Sequence, residues 1–376
     1  MASKIRIFTK RFFIYSNIVV VFFFLLSCLS PYLNPQQWWF ISFFGLAFPF
    51  LLLAVLFFLA GWLIIMRPRY ALISGVALLF SIKSILVSFA FNSPGSFEYK
   101  RTPGTIRVVT WNVARFIELK KVSNKGSATR LKMLELLKQQ EADVLCLQEF
   151  HTSTKADYYD NIQAIQDDLG YPYHYFNFDT DGDEMFYSSI IFSKYPIVDS
   201  GTVRYPRPTL PDVLIHADIK FNSDTFRVYT TRLQSLRFNK MDYKNLDKIK
   251  SGDDSLISNS KTILSKLKRG LSYHGIQAGL IAEITGISPH PVIICADLNE
   301  TPNSYTYRKV KGEMQDAFLK KGFGIGRTFS GLSPTLRIDY IFADKRFKVR
   351  QFNRVVKNLS DHYMLVADVE LKAPNP

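Results

Sequence analysis

The chain has 376 residues, 47% of them hydrophobic, and carries 47 Lys/Arg against 32 Asp/Glu for a formal net charge of +15. Its composition changes abruptly near residue 98, which excludes one uniform soluble domain. The three cysteines, Cys28, Cys146 and Cys295, exclude a disulfide framework and a cysteine-rich zinc domain.

From Phe12 to Met66 there is no Asp, Glu, Lys, Arg or His. One bilayer crossing needs roughly 20 apolar residues, so this run predicts two, over residues 12–30 and 40–66. The turn-forming stretch Ser30-Pro31-Tyr32-Leu33-Asn34-Pro35-Gln36-Gln37 separates them, and Trp38 and Trp39 fall where an aromatic interface belt lies. A third predicted crossing runs from Tyr70 to Phe91 and contains Lys83, whose charge is tolerated if it snorkels or faces other helices. A cleaved signal peptide does not fit: the apolar run is too long and a second follows at once. Residues 1–97 therefore read as an all-helical transmembrane anchor and 98–104 as a linker. A separate folded part is expected over 105–372.

Lys4, Arg6, Lys10 and Arg11 precede the first crossing, the next loop has no Lys or Arg, and Arg67 and Arg69 follow the second. The positive-inside rule then places the N-terminus in the cytoplasm. With three crossings the rest of the chain is extracytoplasmic, at an inner membrane if the source is bacterial. Up to residue 99 the chain holds seven Lys/Arg and one Glu, which leaves +9 for the remainder. Such a field favours anionic partners, namely nucleic acid, phospholipid headgroups or phosphorylated small molecules, without choosing among them. No protein partner is legible.

Beyond the linker, short β-branched or aliphatic runs predict strands at Ile106–Thr110, Val144–Leu147, Ser188–Phe192, Phe226–Thr230, Val292–Cys295, Ile338–Phe342 and Leu365–Val369. Helical periodicity appears over Thr129–Gln139 and Ile263–Thr285. Strands and helices mixed in this way predict sheets packed face to face and covered by helices. The polar, basic stretch 236–254 reads as a surface loop, as does the acidic run from Asp179 to Glu184, which fails the EF-hand spacing because Gly182 is fourth rather than sixth. His151 reads as a loop residue close to Glu149, and His174, His216, His274 and His290 lie in no motif.

Five short motifs follow in order, each at or just after a predicted strand: Thr110-Trp111-Asn112-Val113, Leu147-Gln148-Glu149-Phe150, Ala296-Asp297-Leu298-Asn299, Arg337-Ile338-Asp339-Tyr340 and Ser360-Asp361-His362-Tyr363. A phosphodiester repels an attacking hydroxide, so its hydrolysis needs a hard cation, polar groups on the phosphate and a base for water. Mg²⁺ takes oxygen ligands through one or two carboxylates, which suits Glu149, with Asn112 holding a metal-bound water or phosphate oxygen. Asp297 and Asn299 are two apart and point the same way from an extended segment. Asp339 and His362 make a carboxylate–imidazole pair in which the carboxylate fixes the tautomer. Each motif is weak alone, since a lone Asp-x-Asn is more often a turn or a cap. Their ordered combination carries the signal.

The ordered set resembles the endonuclease/exonuclease/phosphatase family, of the deoxyribonuclease I type, over roughly residues 104–372, and chains with membrane segments ahead of such a domain resemble a bacterial branch of it. The resemblance implies a four-layered α/β sandwich of two packed mixed sheets flanked by helices. It also implies a hydrolase using Mg²⁺, or Mn²⁺ as the alternative. It matches Asn112 and Glu149 to the metal side, Asp297 and Asn299 to water orientation and phosphate binding, Asp339 to the partner of the catalytic histidine, and Asp361-His362 to the terminal pair, with Asp361 counted on the metal side. Where many members have His after Thr on a middle strand, this chain has Thr230-Thr231-Arg232-Leu233. A guanidinium can grip phosphate but cannot act as acid or base, so Arg232 is expected to bind phosphate. The implied function is a membrane-anchored phosphodiesterase, with nucleic acid favoured. The alternatives are a phospholipid or small phosphoester hydrolase, or a non-catalytic membrane module that binds phosphorylated ligands.

Overall fold

The computed structural model describes residues 2–93, 95–117, 121, 128–182, 184–209, 212–235, 256–331 and 333–372; the predicted 236–254 loop lies outside them. The chain forms two compact units. The first comprises Met1–Phe89, Ser235–Gly275 and Glu300–Arg308, and the second comprises Ala90–Gln234, Ile276–Asn299 and Lys309–Pro376.

In the first unit, α1 (Ala2–Leu29) and α2 (Pro35–Ile64) are long and apolar enough to cross a membrane. Asn34 caps α2 by accepting from the Gln36 N–H, and Pro35 occupies a position where its missing donor costs nothing. The third predicted span is broken: α3 (Pro68–Phe80) and α4 (Ile82–Ser88) meet at 61°. The break is at Ser81, whose hydroxyl donates to the Leu78 carbonyl at 2.9 Å, a back-bond that bends apolar helices. Three contacts place this bent pair alongside α1. The Lys10 ammonium lies 5.1 Å from the Tyr70 ring, Ser74 Oγ donates to Asn17 Oδ1 at 2.9 Å, and Ser84 hydrogen-bonds the Cys28 thiol. Along α1 the partners advance from 10 to 17 to 28, so α3 and α4 run parallel to it nearly end to end. Phe24, Phe48, Leu52, Val55 and Ala77 form the buried centre of this bundle.

The same unit includes two pieces that the sequence assigns to the catalytic part. The Asn303 amide donates to the Ser27 carbonyl at 2.9 Å, and the Arg308 guanidinium stacks 4.6 Å from the Tyr32 ring. From the helix Leu256–Gly286, Lys268 lies over Trp39 and His274 pairs with Glu300 at 3.0 Å, both fully buried. Gly45 permits this packing. A Cβ there would lie 2.3 Å from Ser30 Oγ and 2.8 Å from the Asn303 carbonyl oxygen.

The second unit is a four-layered sandwich. One sheet has the order β13 (Phe347–Val355), β14 (Met364–Leu371), β2 (Thr105–Asn112), β3 (Val144–Ser153), β5 (Met185–Ser193), β4 (Tyr173–Phe176). The other has the order β10 (Gln315–Asp316), β12 (Asp339–Ala343), β9 (Val292–Asp297), β8 (Asp224–Arg232), β7 (Val213–Phe221), β6 (Ile197–Arg204). A small ribbon joins β1 (Ala90–Phe91) to β11 (Phe323–Gly324). The remaining helices of the chain are α5 (Ala128–Gln139), α6 (Asn161–Leu169) and α9 (Ala317–Lys321) in this unit, and α7 (Leu256–Gly286) and α8 (Tyr305–Lys311), whose first parts belong to the first unit.

Residues of β2 are buried along its whole length, because the strand is covered on both faces. Ile106 and Val108 join the core between the sheets, while Val109 and Trp111 join Met133, Leu137 and Ile165 under α5 and α6. Arg107 is also fully buried; its guanidinium makes a bidentate pair with Asp368 at 2.7 and 2.9 Å, and its remaining donors go to backbone carbonyls. Each sheet contains a single parallel pair, β2/β3 in one and β8/β9 in the other, with every other pairing antiparallel. That symmetry positions the site.

Candidate active site

Parallel neighbours end at the same edge, so β2 and β3 present Asn112 and Glu149 together, and β8 and β9 bring Arg232 opposite Asp297 in register. Antiparallel neighbours begin where these end: Asp339 opens β12 opposite Asp297, and His362 just precedes β14. Three strand ends, one position inside β3 and two strand starts thus deliver the predicted residues to one edge of the sandwich.

A bulge between Leu147 and Phe150 interrupts the pairing of β3 with β5, and Glu149 within it has φ +50°. An extra residue of this kind re-aims side chains next to sites. Gln148 turns into the space between the sheets, where its amide donates to Thr110 Oγ1 at 2.9 Å and Thr230 Oγ1 at 2.8 Å. Glu149 turns to the edge and remains partly exposed. Asn299 likewise has φ +51°, a region that Asn tolerates better than most residues, and its N–H donates to Asp297 Oδ1 at 3.0 Å while its amide donates to the Leu233 carbonyl at 2.9 Å.

Asn112 lies at the centre. Its Oδ1 accepts from the Ala114 N–H at 3.0 Å, so its amide NH₂ faces the carboxylates and donates to Glu149 Oε1 at 3.1 Å and Asp297 Oδ2 at 3.0 Å. In this orientation it ties two carboxylates together rather than turning an oxygen toward a cation. The Arg232 guanidinium fills the next position, 2.9 Å from Glu149 Oε1, 3.7 Å from Asp297 Oδ2 and 3.8 Å from Asp212 Oδ1. Burial works against its charge, but Glu149, Tyr187, Asp212 and Asp297 outweigh burial and raise its pKa.

His362 Nδ1 lies 3.0 Å from both Asp339 oxygens, which leaves Nε2 toward the site, 3.9 Å from Asp297 Oδ2. Trp111 Nε1 donates to the His362 carbonyl at 2.9 Å, Ser360 Oγ accepts its N–H, and the Phe329 ring packs edge-on against the imidazole at 5.1 Å. Burial lowers the affinity of the imidazole for a proton; Asp339 and Asp297 outweigh it and carry the pKa to about 10. Burial pushes Asp297 the other way from an ordinary carboxyl, up to about 6, against the opposing charge of His362. Asp361 is exposed, its carboxylate accepting from Ser360 Oγ at 3.2 Å.

Glu149, Asp297, Asp339 and Asp212 give four carboxylates against the cations Arg232 and His362. That excess of hard oxygen donors fits a divalent cation, and Asp297, Asp339 and His362 offer ligand atoms within 4.8 Å of one another. A set that includes imidazole also suits a transition metal such as Mn²⁺.

Several contributors were not legible as site residues. Tyr187, whose phenol burial pushes up to about 12, and Asp212 both face Arg232 from strands or loops without a motif. Thr328 Oγ1 accepts the Ile338 and Asp339 N–H groups. His151 lies on β3 rather than in a loop; it is buried, and burial lowers its pKa. The acidic 179–184 run is occupied by cations, with Asp181 on Arg115 and Asp179 on Arg204, each at 2.6 Å.

The model of the endonuclease/exonuclease/phosphatase family matches residues 109–362, and a domain family of unknown function matches residues 10–88. The human Nocturnin catalytic domain with bound sulfate is similar in structure at TM-score 0.50 and 20% identity, covering 72% of this chain and 94% of that one. An endonuclease/exonuclease/phosphatase protein from Beutenbergia cavernae gives 0.49 and 17%, covering 71% and 72%, and one from Bacteroides thetaiotaomicron gives 0.46 and 15%, covering 72% and 98%. No curated protein matches the chain.

Proposed function

Since the chain belongs to the endonuclease/exonuclease/phosphatase family, we propose that it is a membrane-anchored, Mg²⁺-dependent phosphodiesterase that directs water at a phosphoester, with nucleic acid as the favoured substrate. The observation that carries this reading is the buried His362–Asp339 pair facing Asp297, next to the Glu149–Asn112–Arg232 cluster. Glu149 is the residue that would hold the cation, with Asn112 fixing the carboxylate and Asp361 at the rim; the bound ion would polarise the phosphate and offset its charge. Asp297, held by Asn112 and the Asn299 N–H, orients the attacking water and accepts its proton. His362, oriented by Asp339, points Nε2 at the phosphate oxygens, and Arg232 with Asn299 grips the oxyanion. The preference for nucleic acid rests on the +9 charge beyond residue 99, since contacts to a phosphate backbone draw on such charge.

The anchor crosses the membrane three times in this reading. The contacts of Tyr70, Ser74 and Ser84 along α1 support α3 and α4 as one bent crossing, and Lys83 is exposed beside Ser84 near the end of the span, where its ammonium can reach the headgroups. The Lys/Arg-rich start of α1 is then cytoplasmic and the catalytic sequence extracytoplasmic, at an inner membrane for a bacterial source.

The test is hydrolysis of bis-p-nitrophenyl phosphate, plasmid DNA, RNA and lipid phosphoesters by the full-length protein in detergent, with Mg²⁺ and with EDTA. Mg²⁺-dependent cleavage of nucleic acid is expected, and Glu149→Gln and His362→Ala each abolish it. Wild-type rates in both variants would refute the mechanism. Turnover of lipid phosphoesters alone would replace the substrate, and Mg²⁺-independent binding without product would make the protein a binding module.

A further inference from the structure

At the end of the bundle where the chain begins, a cavity of about 630 Å³ opens between α1, the last turn of α2 and the turn into α3. Arg6 and Lys10, four residues apart on one face of α1, line it together with Arg67 from the α2–α3 turn; Phe13, Phe57 and Trp62 form apolar wall. Its volume lies within the range of pockets that hold small organic molecules. We infer that this cavity is a binding site for the headgroup of an anionic glycerophospholipid, its phosphodiester on Arg6, Lys10 and Arg67 and an acyl chain along the aromatic wall.

Charge is the first argument. No Asp or Glu occurs before Glu98, and none of the three cations has an ion-pair partner among the described residues. Buried cations in folded domains commonly acquire carboxylates, as Arg107 on Asp368 and Arg337 on Asp316 illustrate in the sandwich. Three converging cations without one are complementary to an external anion. The second argument is the indole of Trp62. It is 3% exposed and its Nε1 has no hydrogen-bond partner, a donor that a phosphate or glycerol oxygen could satisfy. Its ring is fixed between Phe13 and Tyr70, with centroids 6.1 and 4.9 Å away, and Lys10 lies over Tyr70, so the lining is built rather than a loose fringe of charges.

The occupant is a lipid rather than a free anion because the wall below the cations is aromatic and aliphatic, and because the site lies at the end of apolar spans where headgroups gather. Basic pockets between transmembrane helices on the cytoplasmic side hold anionic headgroups for this reason. The inference rests on the membrane reading but not on the hydrolase chemistry.

The experiment is native mass spectrometry of the full-length protein released from nanodiscs of phosphatidylglycerol and phosphatidylcholine in equal amounts. Incorporation into nanodiscs reports on the membrane reading separately, and its failure overturns both. The wild type is expected to retain phosphatidylglycerol in preference to phosphatidylcholine. Removing one cation by Arg67→Gln should weaken retention about fivefold, and Lys10→Gln with Arg67→Gln about thirtyfold. Trp62→Phe should weaken it without changing charge, while Arg69→Gln, equally basic but outside the lining, should leave it unchanged. Equal retention of the two lipids by the wild type, or unaltered retention in the double variant, overturns the proposal. Displacement of the lipid by inorganic phosphate at matched concentration would show a free-anion site and overturn the lipid assignment.

Discussion

The Arg232 guanidinium rests 2.9 Å from Glu149 Oε1, so the residue expected to bind phosphate is paired with the carboxylate expected to bind metal. The two roles are therefore linked. Replacing Arg232 by Met should lower kcat about 10²- to 10³-fold, the loss usual for one oxyanion donor. It should also lower the Mg²⁺ concentration needed for half-maximal activity, because a competing cation has left Glu149. Arg232→Lys should restore only part of kcat, lacking the planar fork. Steady-state kinetics over a Mg²⁺ titration reads both effects; an unchanged kcat would leave Arg232 a purely structural cation.

Metal binding can be read without turnover. Protein stripped with EDTA should gain thermal stability on adding Mg²⁺, by about 2.7 kcal/mol at a hundredfold excess over Kd. Glu149→Gln should lose that gain. If Asp339→Asn loses it while Glu149→Gln keeps it, the ion belongs instead to the Asp297, Asp339 and His362 group.

The His362–Asp339 pair gives a pH dependence with a definite sign. Its folded-state pKa is raised to about 10 from an ordinary 6.5, so its stabilisation is complete below about 6.5 and disappears as pH rises toward 10. Melting curves in EDTA should show stability falling across that window, and Asp339→Asn should flatten the fall. The same variant should reduce kcat by roughly 10²- to 10⁴-fold, since a mis-set tautomer disables an imidazole. A parallel decline in both proteins would assign the pH effect to other groups.

Membrane orientation is open to a direct assay. Alkaline phosphatase fused after Tyr99 should be active and green fluorescent protein fused there should be dark. The reverse pattern would return the catalytic sequence to the cytoplasm and reduce the bent pair to a re-entrant segment.

Gly45 predicts a packing defect within the first unit. Gly45→Val would drive atoms into Ser30 Oγ and the Asn303 carbonyl, and overpacking of this kind costs typically 1–3 kcal/mol. Gly75→Ala, with nothing within 4 Å of the added carbon, should leave the melting temperature unchanged.

The central strands were legible because they are buried on both faces and spell continuous apolar runs, as in Val144–Leu147 and Val292–Cys295. The edge strands β6 and β13 mix polar with apolar residues, Asp199 and Lys348 among the exposed ones, and gave no apolar run to find. α5 matched its periodicity to within a residue. The break at Ser81 was hidden because it comes from one hydroxyl back-bond, with the nearest Gly or Pro, Gly75, six residues away. At the site, the motifs showed which residues sit at strand ends, and the structure brings Asn112, Glu149, Arg232, Asp297, Asp339 and His362 together. Orientation was beyond the sequence: the Asn112 amide is set by the Ala114 N–H, and Glu149 is turned outward by a bulge that no residue type announces.

The hydrogen bond from Asn303 to the Ser27 carbonyl bears on how the protein can be produced. A gene fragment beginning at Ala90 would still encode every residue from Asn112 to His362 and would look, on paper, like a self-sufficient soluble enzyme. It would also take Tyr32 from Arg308, Trp39 from Lys268 and Ser27 from Asn303, leaving Glu300–Arg308, which follows Asn299 directly in the chain, without the helices it folds against. Inactive or aggregated material from such a fragment would report a severed packing interface rather than an absent activity. Preparations for enzymology should keep the whole chain in detergent or lipid.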